Sequence, residues 1–111
     1  MRFSRLPGRE FRQGGYRTAA TPFFSVKAKK NGMGKWRAGV VAGTAVHKSA
    51  AKRNFWKRQT MGILRALPER PAPRGAGSPA ETHDVLVILF SKVNGLTKRQ
   101  FQEKLTHELF F

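Results

Sequence analysis

Five cations and no carboxylate fall within residues 48–58: Lys48, Lys52, Arg53, Lys57 and Arg58 stand there with Asn54, Phe55 and Trp56. The spacing is helical. A solvent-facing helix usually sets Glu or Asp three or four residues from each Lys or Arg, so that opposite charges meet on one face. No such partner is within reach here, because the acidic residues leave a gap from Glu10 to Glu69. A fold built on this chain must keep that face out of the core. The natural partner for so much unpaired positive charge is a polyanion. A solvated face is the plainer meaning of a charge run, and the missing acids weigh against it.

The whole chain agrees. It has 22 Lys and Arg against 6 Asp and Glu, a formal charge of +16 on 111 residues. Such a balance suits a domain that sits on a phosphate backbone; an acidic protein or an anionic membrane surface would also attract it. The longest apolar run, residues 85–90, is strand-sized and far from the roughly 20 residues needed to span a bilayer, so no membrane partner is expected. Met1, Arg2, Phe3, Ser4 and Arg5 form a basic start without the apolar segment and small-residue cleavage site of a signal peptide. The absence of Cys removes disulfides and thiolate metal sites and fits a reducing cytoplasm. The length predicts one domain, residues 1–111, with one modest core.

Along the chain, Pro7 can open a short helix that Gly14 and Gly15 close. Phe24, Val26 and Ala28 alternate with Phe23, Ser25 and Lys27, which predicts a strand. Asn31, Gly32, Met33 and Gly34 signal a hairpin, with residues 36–43 as the returning strand. A helix is expected over residues 49–67, ending before Pro68, with Trp56, Thr60, Ile63 and Leu67 on its buried stripe. Residues 68–82 read as an exposed Pro- and Gly-rich loop. Residues 84–90 are continuously apolar after Asp84, as in a strand covered on both faces. Thr97 and Gln100 form a capping box, Leu96 and Phe101 a hydrophobic staple, and Phe101, Leu105 and Leu109 the buried stripe of a closing helix. The order α-β-β-(β)-α-β-α predicts an α+β sandwich, a small sheet packed by helices.

Catalytic constellations are missing from this pattern. His47 falls in a connection, His83 at a loop edge and His107 on the closing helix. None pairs at a recognisable spacing with Glu10, Glu69, Glu81, Asp84, Glu103 or Glu108. No metal site and no organic cofactor are expected from such spacing. The cationic helix carries the signal. Arg53, Lys57 and Arg58 suit phosphates, Arg with bidentate geometry, while Asn54 offers donors and an acceptor to a base edge or sugar hydroxyl. Phe11, Phe24 and Val26 are either core or an apolar floor for an unpaired nucleotide strand.

These residues resemble a known family. Ala51-Lys52-Arg53-Asn54-Phe55-Trp56-Lys57-Arg58 is similar to the Arg-Asn-x-x-Lys-Arg signature of the bacterial ribonuclease P protein component. Phe11-Arg12-Gln13-Gly14 resembles the end of that family's first helix, Thr21-Pro22-Phe23-Phe24-Ser25-Val26 its first strand, Arg37-Ala38-Gly39-Val40-Val41 the strand before the signature, and Val46-His47-Lys48-Ser49-Ala50 the lead-in. The resemblance implies a small protein partner of a catalytic RNA. That RNA, with bound Mg²⁺, removes the 5′ leader of precursor tRNA by hydrolysis. It implies that Lys48, Lys52, Arg53, Asn54, Lys57 and Arg58 contact RNA, and that Phe11, Phe24 and Val26 line a leader cleft between the signature helix and the sheet. It also implies a left-handed crossover, a single copy of the protein in the complex, and ribonuclease P RNA and precursor tRNA as partners. The chain departs from the pattern at Phe55 and Met61, where the family often carries Arg, at Thr44-Ala45, where it often carries a Lys pair, and in a shortened first helix. Two other readings stay open: a structural RNA-binding protein such as a ribosomal protein, and a nuclease whose own carboxylates hold metal.

Overall fold

A computed structural model describes residues 3–12, 14–66 and 82–108. Five strands run through them: β1 (Ser4–Arg5), β2 (Arg17–Ala20), β3 (Phe24–Lys30), β4 (Arg37–Val41) and β5 (His83–Leu89). Two α-helices, α1 (Ala50–Ala66) and α2 (Lys98–Glu108), and two 3-10 turns, Gly8–Arg12 and Ser91–Gly95, complete the order. The expected first helix is thus a single 3-10 turn. The expected loop at residues 68–82 lies, except for Thr82, outside the described residues.

The sheet order is β1-β4-β5-β3-β2. β5 pairs antiparallel with β3 and parallel with β4, so it lies between the two strands that the Asn31–Gly34 turn signal joins as a hairpin. That turn exists, with Gly32 and Gly34 at φ 63° and 72°, a region that favours glycine. Its arms are held apart by a strand from more than forty residues later. The reason is apolar content: residues 85–89 are covered on both faces and need the central position. The connection from β4 through α1 to the parallel β5 is a crossover that carries the cationic helix.

Alternation gives the sheet two unlike faces. Phe24, Val26, Ala38, Val85, Val87 and Leu89 point to the face on which α1 and α2 pack. Val26, Val87 and Val40 lie in register across β3, β5 and β4. Phe101 of α2 sits edge-on to Phe24 at 5.8 Å and to Trp56 at 5.3 Å, joining sheet and both helices. The other face carries Ser25, Lys27, Leu86, Ile88, Gly39 and Val41. The α2 start is built as its sequence predicts: the Thr97 N–H donates to Gln100 Oε1 at 2.9 Å and the Gln100 N–H to Thr97 Oγ1 at 3.1 Å. Phe101 and Leu105 are fully buried; Leu109 lies outside the described residues.

The far end of the sheet is pinned by a buried carboxylate. Asp84 accepts from Arg37 Nε at 2.8 Å, Arg37 Nη2 at 2.6 Å and Asn31 Nδ2 at 2.8 Å. Asn31 in turn accepts from Thr82 Oγ1 at 2.6 Å, which ties the β3–β4 turn to the start of β5. Burial alone pushes the Asp84 pKa up, but the hydrogen bonds from Arg37 and Asn31 and the charges of Arg37 and Lys29 outweigh it and hold the carboxyl below its ordinary value. A depressed carboxylate contributes stability above its unfolded pKa, near 3.9, and loses it as pH falls through the lower folded value. Urea midpoints followed from about pH 6 to about pH 2 are therefore expected to fall more steeply at the acid end for the parent than for Asp84→Asn. Parallel curves would remove Asp84 from the acid response.

Candidate RNA interface

Helix α1 starts at Ser49, whose carbonyl accepts the Arg53 N–H at 3.1 Å and whose hydroxyl lies 3.4 Å from the Lys52 N–H. His47 Nδ1 accepts the Ser49 N–H at 2.9 Å, so His47 is a hydrogen-bonding group of the lead-in. Asn94, in the turn after β5, locks helix and lead-in together. It accepts from Trp56 Nε1 at 2.9 Å and donates to the carbonyl of Val46 at 2.7 Å and of Ser91 at 2.9 Å.

The buried stripe of α1 is Trp56, Thr60 and Leu64. This corrects the expected stripe, in which Ile63 stood in place of Leu64; Ile63 is only half-buried, and Leu67 lies outside the described residues. Leu64 is fully buried within the core shared with the sheet, whereas Ile63 only packs against its margin. The buried Thr60 hydroxyl is satisfied by the Trp56 carbonyl at 2.8 Å. At about 100° per residue, Lys57, Met61 and Arg65 flank this stripe on the side of β4 and β1. Phe55 and Gln59 flank it toward α2, and Asn54 and Arg58 point away from the sheet.

Lys48, Lys52, Asn54, Lys57 and Arg58 are all exposed. Among the described residues, no carboxylate forms an ion pair with any of the five cations of residues 48–58. Arg53 differs from the rest. It is half-buried, and its Nη1 donates to the carbonyls of His47 and Lys48, both at 3.0 Å. Its charge stays unneutralised, but one edge of the guanidinium braces the lead-in rather than facing outward.

A groove of about 510 Å³ runs between α1 and the β1–β4 edge. Its walls carry Lys57 and Arg65 from the helix and Arg5 from β1; Phe11, Val40 and Met61 supply apolar surface. Gly39 belongs to the floor for a steric reason: a Cβ there would stand 2.7 Å from the Phe11 ring. Phe11 thus lines this groove. Phe24 and Val26 do not. Both are fully buried, Phe24 beneath Phe101, because they point to the helix-covered face and not toward open surface. Sequence reasoning missed Arg5 and Met61. Met61 falls one turn after Lys57, which is a usable signal; Arg5 reaches the groove only through the pairing of β1 with β4.

The other histidines carry no shared site. His83, expected at a loop edge, is the first residue of β5, buried, with its ring stacked on Trp36 at 5.0 Å. His107 is exposed on α2. Among the described residues, no three His, Asp or Glu side chains cluster as metal ligands, and no helix is long and apolar enough to cross a membrane.

The Ribonuclease P family profile matches residues 9–110. The chain belongs to this family. It is accordingly a protein subunit of ribonuclease P, an RNA-binding part of the tRNA-processing endoribonuclease in which RNA carries the catalysis. The fold agrees. The Staphylococcus aureus RNase P protein structure is similar with a TM-score of 0.80 at 19% identity, over 98% of this chain and 94% of that one. The Thermotoga maritima RNase P protein is similar with a TM-score of 0.73 at 24% identity, over 96% of each chain. Comparison with curated proteins gives no match.

Proposed function

We propose that the exposed half of α1 binds the ribonuclease P RNA and that the groove beside it receives the single-stranded 5′ leader of precursor tRNA. Lys48, Lys52, Lys57 and Arg58 contact phosphates, Asn54 a base edge or sugar hydroxyl, and Arg53 contacts RNA with the part of its guanidinium not engaged by the lead-in. Phe11 and Met61 give an unpaired base an apolar surface, with Arg5 and Lys57 beside its backbone. Phe24 and Val26 support this arrangement from within the core. The observation that carries the reading is the adjacency of an unneutralised helical face to a cation-walled, apolar-floored groove. Mg²⁺ belongs with the phosphate-rich RNA, because a surface this positive repels divalent cations, and the protein uses no organic cofactor. The complex takes one copy of the protein and acts in the cytoplasm.

Reconstituted enzyme tests this. At low Mg²⁺, added protein is expected to speed cleavage of precursor tRNA, and the holoenzyme to bind leader-bearing tRNA more tightly than mature tRNA. Equal affinity for the two would leave only a structural RNA-binding role. Gly39→Ala sharpens the test. Its Cβ must displace the far end of the Phe11 ring, a flexible side chain, so stability should change by less than about 1 kcal/mol. The preference for leader-bearing tRNA is expected to shrink while affinity for the catalytic RNA holds. An unaltered preference would take Phe11 and the groove floor out of leader binding.

A further inference from the structure

We infer that Lys98, from the first turn of α2, is a further RNA-phosphate contact, so that the interface runs from the signature helix onto α2. This rests on the reading that α1 binds the catalytic RNA. The Lys98 ammonium lies 5.4 Å from the centroid of the Phe55 ring, within cation–aromatic range. Phe55 is itself set edge-on against Trp56 at 5.1 Å, so the platform under Lys98 is fixed from the core.

Three features of this position conflict with ordinary helix chemistry. A cation in the first turn opposes the helix dipole, and α2 has no acidic residue in that turn to offset it. Its neighbour Arg99 pairs with Glu103 at 3.2 Å, but Lys98 has no ion pair among the described residues. Lys98 is also drawn toward like charge, since Lys52 and Arg58 stand three residues either side of Phe55 on α1. An exposed lysine has ample freedom to swing away from such surroundings. A phosphate backbone laid across both helices removes all three conflicts at once, by neutralising Lys98, Lys52 and Arg58 together and by meeting the positive end of α2.

The Phe55 ring is the seat of the Lys98 charge, so an Arg at position 55 would present a cation at the same place on the surface.

Binding of the full chain to a transcribed ribonuclease P RNA, titrated against monovalent salt, tests this. Lys98→Ala is expected to reduce the magnitude of the salt slope by about 0.7–0.9 and to weaken binding roughly three- to five-fold near 0.15 M salt. Phe55→Arg placed on Lys98→Ala is expected to restore both, which a merely structural role for Lys98 would not produce. Lys98→Gln should behave as Lys98→Ala, and unchanged thermal midpoints confirm that the fold is kept. Lys57→Ala is the control. If it shifts the titration while Lys98→Ala overlays the parent, Lys98 is outside the interface and the α1 reading stands. If neither moves, the α1 reading fails and this inference falls with it.

Discussion

Replacing Lys52, Lys57 and Arg58 together by Ala is expected to weaken binding to the catalytic RNA on the order of 50- to 200-fold near 0.15 M salt. Each phosphate that a cation neutralises releases condensed counterions, and each lost contact removes about 0.7 from the salt slope on a single strand and about 0.9 on a duplex. Three contacts therefore flatten the slope by about 2–3. The fold should not suffer. All three side chains are exposed and none has a carboxylate partner among the described residues. Ala is also the strongest helix former, and removing three like charges relieves repulsion along α1. Thermal unfolding is expected to stay level or rise while affinity collapses. That separation distinguishes a binding face from a structural one. Equal loss of stability and binding would mean that these side chains hold the helix in place.

The opposite separation is expected at Phe101. This ring is fully buried and edge-on to Phe24 and to Trp56, at 5.8 and 5.3 Å, so one side chain fastens β3, α1 and α2 together. Phe101→Ala should cost about 3–5 kcal/mol, the usual range for emptying a buried aromatic site. Small domains have only about 5–15 kcal/mol in total, so a large share of the stability goes with it. The salt slope of RNA binding should be unchanged where the variant is still folded, because no cation is removed. Denaturant unfolding measures the first effect and a low-temperature salt titration the second. A loss below about 1 kcal/mol would mean that α2 does not close this core.

How far these features were visible in the chain follows from their range in sequence. The capping box of Thr97 and Gln100 and the helical charge run of residues 48–58 are local, and both appear as read. The strand at residues 83–89 is also local in its signal, because continuous apolar character is enough to mark a central strand. Its neighbours are not local. Nothing near Asn31 says that β5 separates β3 from β4; that follows from burying a strand distant in sequence, with Asp84 gripping Arg37 and Asn31 to set its end. The same limit explains Phe24 and Val26. Alternation shows that they share a face, but only the position of Phe101 shows which face is covered. β1 and β2 escaped notice because two exposed residues and four mostly exposed ones, Ser4–Arg5 and Arg17–Ala20, carry almost no apolar pattern and exist as edges of a sheet formed by others. Arg53 shows a finer limit: its residue type suggests a phosphate, while its position in the first turn of α1 also lets it reach the carbonyls of its own lead-in.

Contact between the outward face of α1 and folded RNA can be read directly because the chain has no cysteine of its own. A single thiol introduced as Ala51→Cys, exposed on that face and outside the charged set, or as Met33→Cys at the β3–β4 turn, can carry a tethered iron chelate that cuts nearby RNA. Localised cuts in the ribonuclease P RNA are expected from position 51 and none at those places from position 33. Cuts from position 33 alone, or the same pattern from both, would contradict that contact.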